Sequence, residues 1–182
     1  GAADWWQAQG VPVARNGTLV VSLSRDAAAL DRFARRSRGH RMLDAEGIAA
    51  LEPDLAGRFA RALFFADEAH LDPRRALAIL SDRLRRTDSV AGQVIDCRGL
   101  SARDALRDLR GVRGEMVLIR CPEIALSRPV RLLHPRMPLY VVPRGDGVFM
   151  LGATMLESDR RGPPTARAVL ELLSAGFALH PA

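Results

Sequence analysis

Two side chains in the segment PLYVVPRGDGVFMLGATM, residues 138–155, could do chemistry: the phenol of Tyr140, the chain's single tyrosine, and the thioether of Met155. They stand near opposite ends of two apolar runs joined by a short Gly-rich stretch. A phenolic O–H can donate to an anion, and a thioether offers a polarisable apolar surface. By themselves the residues fit a plainer role, since a strand-end tyrosine is commonly core with its hydroxyl at the rim. The remaining residues supply no reactive set. There is no Ser-His-Asp or paired-carboxylate constellation and no CxxC, and four scattered His have no metal-ligand spacing. The expected catalytic and metal sets are therefore empty.

All 27 basic side chains are Arg, giving a formal net charge of +6. They alternate with acids, as at Arg25-Asp26, Arg103-Asp104 and Arg107-Asp108. That pattern makes solvated faces with local ion pairing, not a phosphate-binding stripe. Aromatic platforms for bases are missing too, so nucleic acid is not expected as a partner. No apolar run approaches the ~20 residues that span a bilayer, and no signal-peptide pattern opens the chain. No membrane association and a cytoplasmic location are the expectation. Cys97 and Cys121, in apolar strand-like surroundings, read as two buried free thiols.

The elements that position these residues follow from local patterns. NGTLVVSL (16–23) is a turn followed by a strand. Ser24 suits a helix N-cap, with Leu30, Phe33 and Ala34 at helical spacing and Gly39 as the stop. Asp44 suits the cap of a short helix through Ile48 and Leu51, bounded by Pro53, and 61–65 reads as a strand. Asp72-Pro73 is the clearest helix start, with Leu77, Leu80 and Leu84 on one face. Val94–Cys97 reads as a short buried strand ending at Gly99. Strands follow at 115–119, 130–133, 139–142 and 148–153, the last pair turned by Arg144-Gly145-Asp146-Gly147. Thr165 caps a final helix with Val169, Leu172 and Leu173. Arg144 is expected to brace the hairpin, and His70 and His134 to cap or bond loops. The fold class is α+β, mainly antiparallel, with flanking helices.

Five segments, in order, resemble the D-amino-acid-oxidase superfamily, in particular its glycine oxidases of thiamine biosynthesis. They are NGTLVVSL, DEAHLDPRRAL, VIDCRGL, VRGEMVLIR and PLYVVPRGDGVFMLGATMLESD. The resemblance implies a substrate domain over 1–71 and 111–182, with residues 72–110 a remnant of an α/β FAD-binding domain. It implies that Tyr140 lines the substrate pocket and helps to hold an amino-acid carboxylate. It places Met155 beside substrate and flavin ring, and Gly99 against the cofactor, where backbone approaches closely. The implied cofactor is FAD, and the implied chemistry is amine oxidation to an imine that water hydrolyses.

The sequence also departs from that family. It has no GxGxxG fingerprint with its ribose-binding acid. Only about seven residues stand between Arg86 and Val94, where the family usually inserts a β-hairpin. The family's arginine clamp for the substrate carboxylate is missing as well. The expected reading is the substrate-binding portion of an FAD-dependent amino-acid oxidoreductase, inactive alone. Its expected ligand is a small amino acid, and bare interdomain surface is expected to favour self-association. The alternative is a stand-alone, non-catalytic protein-interaction domain.

Overall fold

The computed structural model describes all 182 residues except 86, 88, 90 and 136. Helices are α1 (Ala2–Ala8), α2 (Ala27–Arg36), α3 (Ala45–Leu51), α4 (Pro73–Ser81) and α5 (Ala166–Leu179). Strands are β1 (Val13–Ala14), β2 (Thr18–Ser22), β3 (Arg41–Asp44), β4 (Arg61–Phe65), β5 (His70–Leu71) and β6 (Val112–Arg113). They continue as β7 (Met116–Arg120), β8 (Val130–Leu133), β9 (Leu139–Gly145), β10 (Val148–Gly152) and β11 (Leu156–Glu157). A seven-stranded sheet, in the order β3-β4-β2-β8-β9-β10-β7, carries the fold, and β1–β5 and β11–β6 form small two-stranded sheets. Every neighbouring pair in the large sheet is antiparallel except β2 with β8. The mainly antiparallel α+β expectation therefore holds.

Directly opposed residues share a face of a sheet. One face carries Leu19, Val130, Val141, Leu151 and Val117 in a row across β2, β8, β9, β10 and β7. This face is buried under α3, the 124–126 loop and α5. Helix α5 comes close because Gly176 has no side chain: a Cβ there would lie 2.8 Å from Leu151 Cδ2. On the opposite face Leu30, Phe33 and Ala34 of α2 pack on Val20, Leu63, Phe65 and Leu133, so only β4, β2 and β8 are covered. The β9-β10-β7 half of that second face is left open, with Met116 and Leu118 exposed.

Local caps form where short polar side chains precede helices. Asp44 accepts from Gly47 N–H, Asp72 from Arg74 and Arg75 N–H, and Thr165 from Ala168 N–H. Ser24 does not cap: it opens a short 3-10 turn, and α2 begins at Ala27 with no side-chain cap. Asp146 and Gly147, both at positive φ, turn β9 into β10 as a two-residue connection.

Two expectations are corrected. Val94–Cys97 is not a strand: Val94 and Ile95 are 73% and 78% exposed. Asp96 instead accepts from the backbone and side-chain N–H groups of Arg98, a local bond that competes with strand pairing. Cys97 is accordingly exposed, and only Cys121 is buried. In α4 Leu77 is exposed and Ala76 is the buried residue, and Leu84, beyond the helix end, is exposed as well. No helix among the described residues is long and apolar enough to cross a membrane.

Candidate functional site

The open half-face is the candidate site. Its residues come from alternate positions of β9, β10 and β7, where the opposite positions feed the core under α5. One row crosses the sheet as Arg131, Tyr140, Gly152 and Met116. A second, apolar row is Val142, Met150 and Leu118. The hairpin brings Tyr140 opposite Gly152, so Met155 lies just past the same end of the strand pair. It is 85% exposed.

A cavity of about 510 Å³ lies between this face and the first turn of α4. Met116, Leu118 and Met150 line its sheet side, Asp72 and Arg74 its helix side, and Arg113 and Arg144 also border it. Tyr140 is not in its lining and meets it only through Met116. Arg144 is the residue skipped by a register shift near the β9–β10 turn, and such bulges re-aim side chains. Its guanidinium donates to the Leu71 carbonyl at 2.8 Å and to Met150 Sδ at 3.3 Å. Arg144 thus braces the hairpin against the segment leading into α4.

At the head of β7, Glu115 is buried with Arg113 at 3.0 Å. Its carboxylate also accepts from Thr165 N–H at 2.8 Å and from the hydroxyls of Thr165 and Thr154. A carboxylate so fully engaged is a brace, not an available base. Among the described residues no cluster of metal-ligating side chains forms. The arrangement can bind and orient a small molecule on a half-apolar bed.

His70 beside Arg144 has a buried, unpartnered Nε2. Burial first, and the Arg144 charge second, hold its pKa below the ordinary histidine value. The unfolded chain then binds more protons just below pH 6.5, so stability rises with pH through that window. Thermal melts should show the melting temperature falling as pH drops below about 6.5, with a shallower fall in His70→Gln. His134 behaves as expected for a loop histidine, its Nδ1 accepting from Met137 N–H.

The chain matches the FAD dependent oxidoreductase family over residues 2–87 and 81–182. It belongs to that family. The oxidoreductase named ThiO, for thiamine biosynthesis, in Rhizobium etli is 56% identical to it across the whole chain. The chain spans 59% of that relative's length. The crystal structure of glycine oxidase from Geobacillus kaustophilus superposes with a TM-score of 0.73 at 18% identity, covering 99% of this chain and 59% of that one. Iminodiacetate oxidase from Chelativorans sp. BNC1 gives 0.69 at 23% identity, covering 99% and 60%. These two likenesses establish a shared fold.

Of the residues singled out from sequence, Tyr140 sits on the open face and Met155 beside its end, while Gly99 lies elsewhere, exposed at the start of a 3-10 turn. Gly99 has φ +60°, and a Cβ placed on it would meet no atom within 4 Å, so its backbone conformation accounts for the glycine. Met116, Gly152, Arg113 and Glu115 escaped sequence reasoning. The RGE run at 113–115 was the available signal, a charge pair beside a glycine at the head of an apolar strand.

Proposed function

We propose that the chain provides the substrate-carrying sheet of an FAD-dependent oxidoreductase acting on a small amino acid, glycine or a near relative. The observation that carries this reading is the open half-face with the chain's only phenol at its edge, in a chain 56% identical to ThiO. The apolar row Val142, Met150 and Leu118 fits one face of a flat ring. The pyrophosphate half of such a cofactor finds no match in this chain, which has no glycine-rich phosphate-binding fingerprint. FAD, when bound, supplies the two-electron acceptor.

The chain's own contribution is orientation. Tyr140 donates to the substrate carboxylate and Met155 covers the ring side of the pocket. The apolar row keeps water from the reacting carbon. The test is FAD titration of the full chain followed by visible absorption, then oxygen consumption with glycine. Saturable binding with a perturbed flavin band is expected, without glycine-dependent oxygen uptake, as befits a substrate-carrying portion that is inactive alone. Tyr140→Phe should weaken glycine binding by about tenfold or more, the range for one hydrogen bond to a charged group. An unchanged spectrum at high protein concentration overturns the proposal.

A second reading has its own support. Leu77, Leu84, Val94, Ile95, Leu106 and Trp5 are each exposed, and exposed apolar side chains favour association where they adjoin. An interaction domain without chemistry would associate, by light scattering, while leaving the flavin spectrum unchanged.

A further inference from the structure

Tyr140 is held by its neighbours in an unusual way. Its ring lies across the bare backbone of β10: a Cβ on Gly152 would stand 2.8 Å from Tyr140 Oη and 2.9 Å from both Tyr140 Cε2 and Met116 Cγ. No side chain other than hydrogen leaves room for that path, although Gly152 shows no left-handed φ to require glycine. Past the glycine, the phenol O–H donates to Met116 Sδ at 3.7 Å. The row's other neighbour, Arg131, is turned away over the Phe33 ring at 5.2 Å. The phenol therefore points along the sheet toward the cavity that Met116 lines.

We propose that Met116 and Gly152 are positioning residues for Tyr140, and that Met116 Sδ is the place-holder a ligand carboxylate displaces. A thioether is a weak acceptor. It fixes the direction of the O–H without competing with a carboxylate, which accepts about twice as strongly as a neutral group. Gly152 supplies the gap and Met116 the aim. The proposal rests on the reading of Tyr140 as the carboxylate-binding group.

Two measurements on the full chain separate the proposal from that reading. With Met ε-methyl and Tyr ring labels, the single tyrosine gives an unambiguous ring signal. A nuclear Overhauser contact from that ring to the Met116 methyl is expected in the wild type and lost in Gly152→Ala. Glycine is then titrated in the presence of FAD, following the Met116 methyl. Met116→Leu keeps the bulk and removes the acceptor, whereas Met116→Gln keeps an acceptor at similar reach. Met116→Leu and Gly152→Ala should each weaken glycine at least several-fold, and Met116→Gln should retain near wild-type affinity. Melting temperatures of the two Met116 variants should match, so that the difference reports aim and not folding. Absence of the wild-type contact, or equal affinities for the Leu and Gln variants, overturns the proposal. A contact that persists unchanged while glycine moves no resonance overturns the carboxylate reading of Tyr140, and the place-holder role falls with it.

Discussion

Replacing Glu52 by alanine should cost about 3–5 kcal/mol of folding stability, the range for breaking one side of a buried ion pair. Glu52 is 1% exposed and accepts from Ser127 N–H, from Ser127 Oγ at 2.6 Å and from Arg128 Nε at 2.6 Å. The same guanidinium donates to the carbonyls of Asn16 and Leu51 and lies over the Phe64 ring. Those partners sit where β2 and β8 begin, the one parallel junction in the sheet. A parallel pair has no tight turn to hold its ends together, and the residues joined here lie 75 to 112 positions apart. Alanine at 52 leaves Arg128 part-buried without its counter-charge and loosens both halves of the sheet together. Denaturant unfolding should show a lower midpoint. The double variant Glu52→Leu with Arg128→Met should recover much of the loss, because removing both charges avoids the orphan. A single alanine variant that melts with the wild type would contradict this account.

Much of this architecture was legible in local patterns, and the failures share a cause. The strands at 18–22, 61–65 and 130–133 are short apolar runs between turn residues, and the caps at Asp44, Asp72 and Thr165 are side-chain-to-backbone bonds made within three residues. Such interactions need no knowledge of the rest of the chain. Val94–Cys97 has the same apolar signature but finds no strand to pair with, and pairing is what turns propensity into structure. Nothing local marks Glu52 or Glu115 for burial, because burial of a carboxylate is decided by partners far along the chain. The site shows the same divide. Tyr140 was visible as a residue type within a motif, whereas the bare path over Gly152 exists only once β7, β10 and β9 lie side by side. Openness of the half-face is likewise a property of where α2 stops.

Glu115→Ala should cost a similar ~3–5 kcal/mol, but its effect should concentrate at the candidate site. The Glu115 side chain, 1% exposed, meets three elements at once. Its backbone exchanges bonds with Thr154, the N–H donating to Oγ1 and the carbonyl accepting from the Thr154 N–H. Its carboxylate receives the Thr165 N–H and hydroxyl at the start of α5. Thr154 adjoins Met155, and Thr165 in turn caps α5 through the Ala168 N–H. Loss of the carboxylate therefore removes the acceptor of the Thr154 hydroxyl next to Met155, leaving only the backbone bonds there, and weakens the helix cap in the same step, while Arg113 is left part-buried with an unanswered charge. Hydrogen exchange should quicken at Thr154, Met155 and Ala168 before it does in β2 or β4. Glu115→Gln is the sharper variant: it keeps the volume but sets an amide N–H₂ among donors from Arg113, Thr154 and Thr165. One of its contacts must invert, so it should lose much of what alanine loses. Among the described residues Glu52 and Glu115 share no hydrogen-bond partner. The two alanine effects should then add within about 0.5 kcal/mol, and a strong departure would show that the parallel junction and the site-bearing edge unfold as one unit.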